Sequence, residues 1–387
     1  MDANSSSGAL LQWLEQRREE MVERVRALVE HESPSTDKAA VDALARKVAE
    51  EFERLGGKVK LHPRHEHGAC VQVDFADRRG AKRVLLLGHL DTVYEVGTLA
   101  KMPWRESSGK IYGPGVFDMK CGIVQMMYAL AALTELREGL PCAATVLLNS
   151  DEEVGSPESR AITEQLAKNC AAVLVFEPSA GERGACKTAR KGVGNYTIGV
   201  TGMAAHAGLD FEKGASAISE LARQLVKVSE FTDLKRGVTV NPGIVRGGTR
   251  TNVVADFAEC QVDVRIAKSR DGAGLDKKFR ALRAIDKRCK VEVSGGINRA
   301  PFERTADVAR LYKQARTIAG ELGFELEEVA VGGGSDGNFT AGLGIPTLDG
   351  LGAVGDGAHA THEHVVVKEI PRRAALAARM IEAVAAE

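Results

Sequence analysis

His89 and Asp91 end the apolar run VLLLGHLD, Glu152 and Glu153 end VLLNSDEE, and Glu177 ends VLVFE. Asp118 stands at the start of a long helical pattern, MKCGIVQMMYALAALTEL. Asp91, Asp118, Glu152, Glu153 and Glu177 are all acidic, and Lys120 is the basic residue among them in sequence. Carboxylates gathered at one place repel one another, and some must take up protons unless a counter-charge is supplied. Divalent metal supplies it. Two histidines and three carboxylates can hold two Zn²⁺ ions if one carboxylate bridges, and three ligand carboxylates plus one hydroxide balance the charge. His89 gives one imidazole. The stretch GAHATHEH offers His359, His362 or His364 for the other.

The elements around these residues must bring them together. The first half of the chain alternates helices (about 8–31, 37–55 and 157–168) with strands near 57–62 and 69–75, then with the three apolar runs. Continuous apolar strands between helices imply an α/β fold whose mostly parallel sheet is covered on both faces. In such sheets ligands bind beyond the carboxyl ends of the strands, which is where the histidine and acids fall. From about residue 186 the pattern changes to β-α-β-β-α-β and then resumes its βα order. The reading is a catalytic domain over 1–185 and 298–387, with an inserted ferredoxin-like domain over 186–297.

Composition narrows the class. Lys+Arg 52 against Asp+Glu 53 gives a formal charge of −1, which argues against a nucleic-acid partner. No apolar run approaches the length of a membrane span, and no secretory signal pattern is read at the N-terminus. The seven cysteines are widely spaced with no C-x-x-C, as expected for buried thiols of a cytoplasmic protein. His62, His65 and His67 read as a solvated surface segment. Gly333-Gly334-Ser335-Asp336-Gly337 matches G-x-S-x-G, so a serine hydrolase using Ser335 is an alternative. It leaves the five acids without a purpose.

GHLDTV, YGPGVFDMKCG, SDEEVGS, FEPS, GMAAHAG and GAHATHEHV follow one another in order. Together they resemble the dinuclear zinc peptidases and amidohydrolases that include glutamate carboxypeptidase, aminoacylase and acetylornithine deacetylase. FEPS and GGGSD look most like the bacterial glutamate carboxypeptidases. The resemblance implies that His89 and Glu177 hold one zinc, that Glu153 and His359 hold the other, and that Asp118 bridges them. Co²⁺ or Mn²⁺ are possible substitutes. It makes Asp91 the orienter of the His89 imidazole and Glu152 the general base, later the acid toward the leaving nitrogen. It makes His206 an oxyanion donor that serves the partner subunit of a homodimer. Asn252 and Arg265, with the backbone of Gly333 and Gly334, would grip a free α-carboxylate, and Arg190 and Lys191 are further possible contacts. The implied reaction is hydrolysis of an amide next to a residue with a free carboxylate. The substrate would be a dipeptide of the glutamate-releasing kind, or an N-acyl amino acid.

Overall fold

The computed structural model describes residues 3–76, 82–137 and 139–386. By contacts the chain divides into two compact units. The larger takes the chain up to Ala189, Arg304–Ala330 and Ser335–Glu387; the smaller takes Arg190–Glu303 and Val331–Gly334. Both boundaries lie beyond the positions read from sequence. The reason at the second is plain: the strand Lys290–Arg299 does not stop at Gly295-Gly296 but stays paired to Gly192–Thr201 as far as Arg299. Gly295 makes this possible at φ 88°, where a Cβ would sit 2.1 Å from the Asn195 carbonyl oxygen.

The larger unit is built on a sheet of six strands among the described residues. Their spatial order is Lys58–His62, Cys70–Phe75, Ala143–Asn149, Arg83–His89, Ala172–Val175, Thr347–Leu348. The last four run parallel, whereas the first two are antiparallel to their neighbours. The sheet is therefore mixed, with its parallel pairings confined to the last four strands. A short connection joins the first two strands, too short for the crossover that parallel pairing between them needs.

Side chains of the central strands alternate between two cores. Val84, Leu86, Val146, Leu148 and Leu174 join the larger one, while Leu85, Leu87, Leu147, Val173 and Val175 join the other. Leu86→Ala in such a setting costs about 2–5 kcal/mol. The helix Cys121–Leu136 is apolar nearly all round because it is buried nearly all round. Val116–Leu136 is long and apolar enough to cross a membrane by length and composition, a stretch the sequence reading passed over, and it is mostly buried in the fold as a core helix.

The register of the parallel strands sets up the site. His89 pairs with Asn149 and Leu87 with Val175. The residues that follow, Glu152, Glu153 and Glu177, thus leave the sheet at the same edge as His89. A second sheet, not foreseen from sequence, joins Gly355–Asp356, His364–Val366, Lys110–Tyr112 and Arg105–Ser107. Its strands are two or three residues long, below what periodicity can reveal. They anchor the loops that carry Asp118 and His359.

The smaller unit has a four-stranded antiparallel sheet in the order Thr239–Gly247, Phe257–Ile266, Gly192–Thr201, Lys290–Arg299, with helices Ala217–Ser229 and Ser269–Arg280. Pro242 is accommodated because its strand lies at the sheet edge and bulges there. Tyr196 and Phe279 stack at 4.0 Å in its core.

Candidate metal centre

Asp118 sits between two histidines. Its Oδ1 is 3.2 Å from His89 Nε2 and its Oδ2 is 3.5 Å from His359 Nε2. Each imidazole nitrogen has a second carboxylate beside it. Glu177 Oε1 lies 3.5 Å from His89, and Glu153 Oε2 lies 3.2 Å from His359. One atom from each of His89, Asp118 and Glu153 falls within 4.8 Å of the others, and so does one from each of His89, Glu152 and Glu177. The structure therefore gathers His89, Asp118, Glu152, Glu153, Glu177 and His359 at one place. His362 and His364 have no part in these contacts; the His364 ring packs at a tilt against Tyr112, with centroids 5.3 Å apart.

The spacing fits cations better than hydrogen bonds. An N–H···O bond has its mode near about 2.9 Å. Two atoms bound tetrahedrally to one zinc at about 2.0–2.1 Å stand about 3.3–3.4 Å apart. The buried Glu153 Oε1 also has no hydrogen-bond partner among the described residues. His89, Asp118, Glu153, Glu177 and His359 offer the nitrogen and oxygen donors that divalent zinc takes.

The electrostatics agree. Burial alone would lower the His89 pKa, but the adjacent carboxylates of Asp118, Asp91 and Glu177 outweigh it and raise it well above its ordinary value. Asp118 and then Glu153 push His359 up to about 10. Burial resists ionisation of Asp118, yet His359 and His89 hold it well below the usual carboxylate range. In the metal-free protein the two imidazoles thus act as the counter-cations. Lys120 does not share this task, because it is buried with Nζ donating to the His31 carbonyl at 2.6 Å. Lys187 adds positive potential at Asp118, a cation that sequence spacing did not reveal.

Asp91 is fully buried. Its backbone carbonyl, 2.9 Å from His89 Nδ1, is the main partner of that imidazole, with the carboxylate at 3.5 Å. The carboxylate chiefly accepts from Glu152 N at 3.2 Å, Glu153 N at 3.1 Å and Ser35 Oγ at 2.6 Å. Asp91 thereby fixes the turn that carries both glutamates. Ser35 is a support that sequence reasoning missed, and the bracing role of Glu363, four residues after His359, was not read either. Glu363 accepts backbone N–H groups from Gly115, Phe117 and Asp118. Its place between His362 and His364, four residues after His359, was the signal for it.

Ser335 is not a nucleophile in this fold. It is fully buried, its Oγ donates to Asp349 at 2.6 Å, and it accepts from Gly337 N. The histidine that a serine hydrolase needs does not accept its proton.

In the smaller unit the exposed His206 uses Nδ1 to accept from Gly208 N at 3.1 Å and Leu209 N at 3.2 Å. The neutral ring then carries its proton on Nε2, as a donor. His206 pairs with Val253 in a short ribbon, and Ala207 N donates to the Asn252 carbonyl, so His206 and Asn252 are neighbours. Arg265 forks onto Asp263. The carbonyls of Gly333 and Gly334 accept from the buried Arg190, which braces that loop. Among the surface histidines, His67 bonds Glu158 and His62 bonds Gln72.

Comparison with known proteins agrees with this centre. The family model of peptidase family M20/M25/M40 matches residues 85–383. Carboxypeptidase G2 of Pseudomonas sp. (strain RS-16) is 33% identical over 309 residues, 78% of this chain and 74% of that protein. Acetylornithine deacetylase of Klebsiella pneumoniae (strain 342) is 28% identical over 63% of this chain and 67% of its own. In fold, aminopeptidase PepT of Bacillus cereus ATCC 10987 covers 95% of this chain and 99% of its own, with a TM-score of 0.80 at 24% identity. With the family matched across every strand end that carries a ligand, the chain belongs to peptidase family M20/M25/M40 and is a metallopeptidase.

Proposed function

We propose that the chain hydrolyses an amide bond next to a residue with a free α-carboxylate, as a glutamate-type carboxypeptidase with two zinc ions. The observation that carries this reading is Asp118, with one oxygen toward His89 and Glu177 and the other toward His359 and Glu153. The similarity to carboxypeptidase G2 supports the substrate class. The similarity to acetylornithine deacetylase keeps an N-acyl amino acid as the second reading.

When bound, the two cations would acidify a water and polarise the scissile carbonyl. Glu152 would take the proton of the attacking water and pass it to the leaving nitrogen. Asp91 holds the Glu152 backbone in place for that transfer. His206 would donate from Nε2 to the oxygen that gains charge. Arg265 and Asn252 would bind the substrate carboxylate, and the Gly333–Gly334 loop would line it.

The same reading includes a homodimer formed through the smaller unit. In support, the edge strand Thr239–Gly247 exposes Ile244 and Val245, and the helix Ala217–Ser229 exposes Ile218 and Val226. The test is metal content of the purified protein together with a panel of N-acyl amino acids and dipeptides, including glutamate-terminated ones. About two zinc per chain, activity lost to chelator and restored by zinc, and preference for C-terminal glutamate are expected. Activity that survives chelation would overturn the metal reading; preference for acetylated amino acids would favour the deacylase.

A further inference from the structure

The strand Phe257–Ile266 alternates between two faces. Val262, Val264 and Ile266 are buried in the core of the smaller unit, whereas Asp263 and Arg265 share the opposite face. Arg265 Nε lies 3.0 Å and 3.1 Å from the two oxygens of Asp263, and Nη2 lies 2.9 Å from Oδ2. The carboxylate thus occupies the Nε–Nη2 side of the guanidinium. No hydrogen bond of Nη1 is found among the described residues. The residues opposite in register carry no charge: Asn241 and Asn195 face Asp263, and Thr239 and Val193 face Arg265.

We propose that Asp263 is a positioning residue for substrate recognition: it holds Arg265 from the side so that the Nη1–Nη2 end is presented to the free carboxylate of the substrate. This rests on the reading of Arg265 as the carboxylate grip. A guanidinium has two edges that match a planar carboxylate, side-on and end-on. With the side edge occupied, the end-on edge is the one left for a second carboxylate. Asp263 also removes rotamer freedom that a long arginine side chain would otherwise lose on binding. Its negative charge opposes the incoming carboxylate, but the guanidinium lies between the two anions at this half-exposed position, where solvent weakens their repulsion. Ordering therefore outweighs repulsion, and Asp263 lowers KM without acting on the chemical step.

The test uses Asp263→Ala, Arg265→Ala and the double variant of the full chain, with thermal melting to confirm that each is folded. Each is assayed on the best substrate of the panel and on the same compound as its α-carboxamide. Asp263→Ala is expected to raise KM for the carboxylate about tenfold, to leave kcat within about twofold, and to narrow the preference over the carboxamide. In the double variant the Asp263 change should add nothing to Arg265→Ala. An ion pair that merely stabilises the unit would lower the melting temperature with KM unchanged. That result, or a lower KM, overturns the inference while the grip stands, provided Arg265→Ala still raises KM. If Arg265→Ala leaves KM unchanged, the grip fails and the inference with it.

Discussion

The carboxylate of Glu363 accepts the backbone N–H of Asp118 at 3.0 Å. The same Oε1 accepts from Phe117 N at 2.8 Å, and Oε2 accepts from Gly115 N at 3.0 Å. Glu363 is fully buried and follows His359 by four residues. One side chain thus fastens the loop of the bridging aspartate to the loop of the second histidine. Tyr94 strengthens the link, its hydroxyl donating to the Ala360 carbonyl at 3.1 Å. His359 itself is held at φ 62°, a left-handed conformation that a non-glycine residue adopts only when its surroundings impose it.

Glu363→Ala should therefore do two things. It leaves three N–H groups without acceptors, at about 1–3 kcal/mol for a buried donor, so a loss of about 3 kcal/mol in denaturant unfolding is expected. It also frees Asp118 to drift from the midpoint between the histidines, so metal content should fall below two per chain. A variant that unfolds earlier but keeps full metal would show that Glu363 supports the fold and not the centre.

How much of this was legible beforehand follows from what kind of signal each part leaves. His89, Glu153 and Glu177 were legible because they end long buried strands, and strand ends in an α/β sheet have a known geometry. Asp118 was legible as a bridge only through the family resemblance, since local pattern says nothing of a position that depends on irregular backbone at φ −115° and ψ 94°. Glu363 and Ser35 act through hydrogen bonds to segments distant in sequence, and no local pattern encodes such contacts. The antiparallel pairing of Lys58–His62 with Cys70–Phe75 was not read for a related reason: the apolar pattern sets burial, whereas direction is set by the length of the connecting loop. The Asp263 fork lay in plain view as D-V-R, yet alternation alone shows only that the two side chains share a face.

Glu152→Ala should lower kcat by at least about 10²-fold, as expected for loss of a general base, while two metal ions remain bound. Elemental analysis beside single-turnover kinetics checks this. Loss of one metal ion would instead make Glu152 a ligand, a role that its position near His89 and Glu177 also permits.

For His206 the tautomer carries the argument. Two backbone N–H groups point at Nδ1, so the proton sits on Nε2, facing away from its own loop. His206→Ala should reduce kcat by about 10²–10³-fold with little change in KM. A raised KM at unchanged kcat would convert it to a substrate-binding residue.

Glu158 makes a separate prediction about stability. It accepts N–H groups from His65, Glu66 and His67 and bonds the His67 ring at 2.8 Å. Slight burial works upward, but the His67 bond and the backbone bonds prevail and bring its carboxyl down to about 2. A depressed acid stabilises the fold above its unfolded value, and that contribution disappears as pH falls from about 4.5 toward 2. Glu158→Gln should flatten this part of the acid limb in melting curves and leave stability at pH 7 slightly lower. An acid limb identical to the parent would remove Glu158 from the account.

Metal binding should depend steeply on pH, and the direction is fixed by the metal-free site. A histidine must be neutral to bind a cation. Asp118 and Glu153 raise His359 to about 10, so at neutral pH that ring holds a proton that a metal must displace, and His89 is shifted in the same direction. Apparent affinity should then rise between pH 6 and pH 8, by up to tenfold per pH unit for each proton released. Competition with a zinc-binding dye, paired with calorimetry in buffers of different ionisation enthalpy, reads both the affinity and the proton count. His359→Gln removes one of those protons and should make the dependence shallower. An affinity that is flat across this range would mean that the imidazoles are already neutral, and that the carboxylates are balanced by some other charge.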